Sequence, residues 1–448
     1  MTNSLPITAQ KLSQASACLE VFVNNNPVGI IEKQAIGYSF QYYPQTQSTE
    51  FVSLTMPVRT APYFHHHEDS LHPIFDMNLP EGGLRSFLIN KYAKIISSFN
   101  ELTLLAIVGQ TMIGRITFGG VARKSGSNLD LQSLVECEDT ENLLWQLYSQ
   151  TADVSGVAGV QPKALIEIDE QTIKKLSDEQ APGQDLRSTF KTSGSIIKTS
   201  GKETPWLAAN EFYCLRAARL ANIDTPDTRL LKGGQILVIS RFDRKIDVNP
   251  INSHLLGIED FCVLNGLTSK EKYSLSYERV IKTLSSFVSA HHRNADMIKL
   301  FKSIAFNCVI RNGDAHLKNF SVLYDQSNAN PEEPNIWLSP TFDLCTSNAY
   351  ISNDMLALTL DGSKRYPNRK KIELFGLRHC GLLPERIKEI LEDIENGISQ
   401  AALELNIYCQ QQPEFSKQVG NKMLRFWQAG LESLNSRIKL PVHNENPD

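Results

Sequence analysis

Apolar and polar residues alternate near the start of the chain and give way to helical spacing later, and that change sets the expected organisation. Leu19-Glu20-Val21-Phe22-Val23, the polar run Asn24-Asn25-Asn26-Pro27, and Val28-Gly29-Ile30-Ile31 read as strand, turn and strand. Gly37 to Tyr43 and Phe51 to Met56 read as two more strands. A helix is predicted from Gly82 to about Ile96, with Leu84, Leu88 and Tyr92 on one stripe. A second helix follows Asn100, and Phe118-Gly119-Gly120 closes this unit before the polar stretch Arg123 to Asp130.

From about residue 151 short apolar strands alternate with Gly-containing turns. Ala164 to Ile168 and Ser195 to Thr199 are strand candidates, and Gln235 to Arg241 reads as a buried strand. Between them a helix is expected, with Thr204 as its cap and Pro205 in its first turn. Ala208, Phe212, Leu215 and Arg219 define its face, and Asn222 is a left-handed stop. Beyond about 255 the spacing is mainly helical. Met297, Leu300, Phe301, Ile304 and Cys308 share one face, Asn312-Gly313 ends that helix, and a last amphipathic helix spans Lys417 to Ile438.

Composition narrows the class. The chain has 448 residues, with 45 Lys and Arg against 49 Asp and Glu, a net charge of −4. With 41% hydrophobic and 21% charged residues it reads as an ordinary multidomain globular protein, which excludes wholesale disorder and collagen. The negative balance argues against a chain built mainly to neutralise phosphates. None of the eight cysteines forms a CxxC pair, so neither a zinc ribbon nor a thioredoxin-type site is signalled. No apolar run approaches the roughly 18–20 residues of a membrane span, and the first residues lack a secretory pattern. The expectation is a cytoplasmic protein with no membrane partner.

The chemistry concentrates in Arg311-Asn312-Gly313-Asp314-Ala315-His316-Leu317-Lys318-Asn319. An Asp followed five positions later by an Asn is the spacing of a kinase catalytic loop, with the Asp facing the attacking hydroxyl and the Asn reaching a metal ion. By itself the pattern also fits a solvated loop after a helix. Asp343 ends an apolar segment, and a hairpin through Phe320 to Asp325 would return it to Asn319, giving two oxygen ligands for Mg²⁺. Its plainer reading is a turn or cap residue. Gly156 to Lys163 forms a small, Gly-containing loop before a strand, able to aim backbone N–H groups at phosphates or to serve as an ordinary turn. Lys198 ends a strand, and Glu211 on the next helix is its possible ion-pair partner. Lys318 would offset charge as a phosphoryl group moves. The order is the signal: Gly loop, Lys strand, Glu helix, strand, helices, D-x4-N, Asp. The run His65-His66-His67 with His72 lacks a ligand spacing and is not assigned to a metal.

On these motifs the sequence resembles the HipA family of bacterial serine/threonine kinase toxins. FDMNLPEG (75–82), AGVQPK (158–163), NEFYC (210–214), SRFDR (240–244), NGDAHLKNFSV (312–322) and LSPTFDL (338–344) carry the likeness, in that order. The resemblance implies that Ala158, Gly159, Val160, Gln161, Pro162 and Lys163 cradle ATP phosphates and that Lys198 neutralises them. It implies that Ser240, Arg241 and Phe242 hold adenine, with His316 and Lys318 near the nucleotide. Asp314 would be the general base, and Asn319 and Asp343 would hold Mg²⁺. Ser240 stands where the family usually has a hinge acid, which is tolerable because backbone groups can hold adenine. Gly156 stands where the family's regulatory serine is expected, leaving Ser155, one position earlier, as the autophosphorylation candidate.

The expected fold is therefore α+β and HipA-like. A β-rich N-terminal subdomain would span residues 1–150, a small mixed kinase-type lobe 151–257, and a mainly helical catalytic lobe 258–448. The expected activity is ATP- and Mg²⁺-dependent phosphorylation of a Ser or Thr hydroxyl on a protein. A small-molecule kinase, or a weakly catalytic nucleotide-binding module acting with a DNA-binding antitoxin, stays open. The resemblance also implies a helix-turn-helix antitoxin as partner, contact with DNA only through it, and a substrate in the translation apparatus such as an aminoacyl-tRNA synthetase.

Overall fold

The computed structural model describes residues 14–67, 70–93, 96, 98–109, 112–119, 163–166, 194–201, 203–245, 254–325 and 334–442. The first unit is an antiparallel sheet of β1 (Cys18–Val23), β2 (Asn26–Lys33), β3 (Tyr38–Tyr42), β4 (Tyr63–His65) and β5 (Ile116–Phe118), in the order β4-β3-β2-β1-β5. Asn24 and Asn25 both have positive φ, 49° and 69°, which is the tight turn whose twist suits a two-residue hairpin. Helices α1 (Gly82–Tyr92) and α2 (Glu101–Val108) complete the unit, and the Asn100 side chain caps α2 by accepting from Thr103 N–H.

Phe51 to Met56 is not a strand. The Tyr42 hydroxyl accepts from Val52 N–H at 2.8 Å and donates to the Met56 carbonyl at 2.6 Å, folding the segment into a bridged turn. The fourth strand is β4 instead.

The second unit is a four-stranded antiparallel sheet of β6 (Lys163–Ile166), β7 (Ser195–Thr199), β8 (Thr228–Leu231) and β9 (Ile236–Ser240), ordered β6-β7-β9-β8. Its register sets Lys163 opposite Lys198 and Ser195 opposite Ser240. The helix behind it, α3 (Leu207–Leu220), begins two residues later than Thr204 and Pro205 imply. Trp206 precedes it in a left-handed conformation, φ 62°, and the Ser200 hydroxyl takes the Ala208 N–H at 3.2 Å. Asn222, at φ 55°, follows it as expected.

The remainder is less purely helical than its periodicity implies. After the short pair β10 (Arg244–Lys245) and β11 (His254–Leu255), β12 (Gly257–Asp260), β13 (Ser321–Asp325) and β14 (Asn335–Leu338) form a third antiparallel sheet. The helices of this part are α4 (Tyr277–Phe287), α5 (Arg293–Val309), α6 (Arg369–His379), α7 (Pro384–Gln411) and α8 (Asn421–Ser433); α5 packs on β14, and α7 packs on α3. The last helix is shorter than Lys417 to Ile438, because residues 416–420 take a wider π turn before it. Gly430 lets α8 lie against α5, since a Cβ there would fall 1.9 Å from the Val309 carbonyl oxygen.

Two large apolar clusters hold the molecule, and they interleave. Ile197, Leu231, Ile236 and Val238 of the second sheet, with Val263, are buried in the N-terminal cluster. Phe51 of the N-terminal unit is buried in the helical one.

Candidate active site

Strand β7 runs along the second sheet and buries Lys198 at its end. The ammonium lies 2.5 Å from Glu211 Oε1 on α3 and 2.5 Å from Asp343 Oδ1. Burial works against the lysine's charge, but the two carboxylates more than restore it and hold its pKa above the ordinary value. One strand, one helix and one loop thus converge on a single cation.

Asp343 sits on that loop in the left-handed region, φ 59°, an unfavourable conformation for a residue with a side chain. The ring of Phe342, just before it, packs at 5.4 Å from Phe242 at the end of the second sheet. Asn319 Nδ2 reaches across to Asp343, 3.3 Å from Oδ2 and 3.4 Å from the carbonyl oxygen. Asn319 Oδ1 is buried and has no hydrogen-bond partner among the described residues. A buried acceptor without a donor is costly, and this one lies beside a carboxylate. A cation fits that pair of oxygens.

Asp314 is presented by a turn that follows α5. Arg311 takes φ 58° and breaks the helix. Asn312, buried, donates to Asn307 Oδ1 at 2.7 Å and accepts from Asp314 N–H at 3.0 Å. Gly313 is required at the crossing, because a Cβ would meet Asp354 Oδ2 at 2.1 Å. The Asp314 carboxylate is half-exposed, 4.0 Å from His316 Nε2, and accepts a hydrogen bond from the Tyr273 hydroxyl at 2.6 Å. Partial burial lifts its pKa above the ordinary value, with the Tyr273 hydrogen bond opposing the rise and Asp343 adding to it. Burial also pushes His316 down to about 4, so its imidazole is neutral near pH 7.

Residues 155–402 match the family model of the HipA-like C-terminal domain, and residues 19–119 match that of the HipA N-terminal domain. This chain belongs to the HipA family. The HipA chain of the Shewanella oneidensis MR-1 toxin–antitoxin complex of HipA, HipB and operator DNA shares its fold. That likeness has a TM-score of 0.62 over 94% of this chain and 100% of that one, at 19% identity. Two curated relatives from Sinorhizobium fredii (strain NBRC 101917 / NGR234) are each 26% identical to it. "Putative kinase Y4dM" aligns over 70% of this chain and 72% of its own length, and "Putative kinase Y4mE" over 70% and 73%. Among the described residues, no helix is long and apolar enough to cross a membrane.

In this HipA-family chain Lys198, Glu211, Asn319 and Asp343 form one connected cluster. Two other candidates face the N-terminal unit. Lys318 is buried, 3.4 Å from Glu81 Oε1 and 3.5 Å from Asp260 Oδ2. Arg241 forms a buried bidentate pair with Asp243, at 2.9 and 2.5 Å, and donates to the Met112 carbonyl at 3.0 Å. Asp243 in turn accepts from Gly114 N–H at 2.6 Å. Ser240 ends β9, where its N–H donates to the Asp227 carbonyl at 2.9 Å. The phosphate-loop candidates Ala158 to Pro162 and the candidate Ser155 lie outside the described residues, and Lys163 is described only as the first residue of β6. Sequence reasoning missed Tyr273, which sits in a polar segment with no periodicity. It also gave Glu81 no role, although Glu81 lies inside one of the motifs that carried the resemblance.

Proposed function

We propose that this protein transfers the γ-phosphoryl group of ATP to a Ser or Thr hydroxyl of a protein, with Mg²⁺ as cofactor. The observation that carries the proposal is the convergence of Lys198, Glu211, Asn319 and Asp343 from four separate segments. Lys198, held charged by two carboxylates, would bind phosphate oxygens. Asn319 Oδ1 and the Asp343 carboxylate would hold Mg²⁺, which when bound supplies charge neutralisation for the triphosphate. Asp314, within reach of a hydroxyl as its bond to Tyr273 demonstrates, would take the acceptor's proton. Residues 240–242 and His316 would flank the nucleotide, and residues 158–163 would cover its phosphates. A helix-turn-helix antitoxin belongs to the same proposal, supported by the HipB that accompanies the Shewanella chain. With a net charge of −4, this chain would meet DNA only through that partner. A cytoplasmic setting and a substrate of the translation machinery, such as an aminoacyl-tRNA synthetase, complete it.

The test is incubation of the full chain with labelled ATP, Mg²⁺ and cell lysate. A labelled protein band is expected, and Asp314→Asn should lower its appearance by roughly 10²–10⁴ while retaining ATP. Label confined to small molecules would make the protein a small-molecule kinase, and no transfer at all would overturn the proposal.

A further inference from the structure

Tyr273 belongs to an arm fixed at several points. Ser269 N–H donates to Asp76 Oδ2 at 2.6 Å, Lys272 Nζ to Glu81 Oε2 at 3.0 Å, and the Lys272 carbonyl accepts from Leu317 N–H at 3.1 Å. So anchored, the arm lays the Tyr273 ring edge-on to His316, with centroids 5.1 Å apart, and sets its hydroxyl 2.6 Å from Asp314 Oδ1. A general base must lie about 2.6–3.2 Å from the hydroxyl it deprotonates. On Asp314, a hydroxyl of this chain already stands at that distance.

The Tyr273 side chain also lines an open groove of about 480 Å³ that runs past Leu267, Leu275, Arg279, Thr359 and Lys364. Among the described residues, no carboxylate lines it. Arg279 donates its Nε–H to Asn265 Oδ1 at 2.6 Å, and neither Arg279 nor Lys364 forms an ion pair with a described residue. The groove is therefore cationic, with apolar patches on its wall. Tyr273 both lines it and donates its hydroxyl to Asp314.

We infer that this groove is the acceptor's seat, that it takes an extended protein segment with acidic residues beside its Ser or Thr, and that the Tyr273 hydroxyl holds the acceptor's place on Asp314 until the segment displaces it. This rests on Asp314 being the base. In the step, the acceptor oxygen bonds to the γ-phosphorus and the bond from that phosphorus to the β,γ-bridging oxygen breaks. ADP departs, and the acceptor's proton passes to Asp314. Tyr273 is a positioning residue here, since it gives way before the step. The tyrosine's exposure, 44%, leaves its ring room to swing outward.

The experiment uses the full chain with Mg²⁺, ATP and a set of Ser and Thr peptides carrying acidic, neutral or basic flanks. Tyr273→Phe keeps the ring and removes the hydroxyl. The KM for peptide should fall about three- to tenfold, the worth of one partly exposed hydrogen bond, with the KM for ATP unchanged. A KM for peptide that stays the same or rises would overturn the placeholder role. Reversing the groove's charge with Arg279→Glu and Lys364→Glu should raise the KM of acidic-flanked peptides at least about tenfold and leave neutral ones unaffected. An equal effect on every peptide would overturn the groove. If the unaltered chain labels no peptide and no lysate protein, the reading of Asp314 fails and this inference falls with it. Labelling combined with an indifferent Tyr273→Phe variant sinks the inference alone.

Discussion

Glu81 Oε1 and Lys318 Nζ lie 3.4 Å apart, joining the N-terminal unit to the loop that carries Asp314 and Asn319. Glu81 also holds Lys272 at 3.0 Å, so one carboxylate braces both the loop and the arm that bears Tyr273. Glu81→Gln should leave Lys318 with Asp260 as its remaining carboxylate. On the proposed reading, turnover should fall about ten- to a hundredfold through misplacement of the loop, with little change in ATP affinity. Single-turnover kinetics and calorimetry together check this.

The same carboxylate gives a pH signature. Burial opposes its charge, but Lys318 and Lys272 overcome that and hold its pKa below the usual value. Its contribution to stability is present above the unfolded carboxyl's pKa and fades as pH falls through the lower folded value. Acid unfolding of Glu81→Gln should accordingly be less steep across that window than that of the unaltered chain.

Lys198→Met takes from Glu211, a carboxylate only 3% exposed, the ammonium that lies 2.5 Å from it. Breaking a buried pair in this way costs about 3–5 kcal/mol. Adding Glu211→Gln removes the charge that Lys198 balanced and should return much of that stability, whereas on the proposed reading ATP binding stays lost. Urea unfolding of the single and double variants, alongside nucleotide calorimetry, separates the two roles.

Glu259 gives the opposite pH dependence. Burial pushes its pKa up to about 7, against hydrogen bonds from Leu54 N–H, the Ser53 hydroxyl and the Tyr324 hydroxyl. The folded protein then keeps a proton that the unfolded chain has released between its ordinary value, near 4.5, and about 7. Stability should fall as pH rises through that interval. Glu259→Gln should flatten the fall, measured as the urea midpoint at stepped pH.

Much of the cluster was legible because its members sit on elements with strong local signals. The apolar strand before Lys198 and the Ala-rich face of α3 place Glu211 opposite that lysine. The apolar runs on either side of the 326–333 stretch pair as a hairpin and bring Asp343 back to Asn319. The bridged turn at Phe51 to Met56 was not legible, since its alternation is genuine and only the phenol of Tyr42 overrides it. Strand β8, Thr-Arg-Leu-Leu, is too short for periodicity to speak. Glu259 looks like any polar residue until Ser53, 206 positions earlier, is found bonded to it at 2.8 Å. Tyr273 has the same difficulty, its partner lying 41 positions away.

The interleaving of Phe51 with one apolar cluster, and of Ile197, Leu231, Ile236, Val238 and Val263 with the other, bears on how such a protein can diverge. A chimera that joined this N-terminal unit to a relative's catalytic half would bring together side chains never matched for volume along that seam. Each overfilled position would cost about 1–3 kcal/mol, so two or three mismatches would consume a large share of an ordinary domain's stability. The two halves must therefore change in step, as a lineage rather than as exchangeable parts.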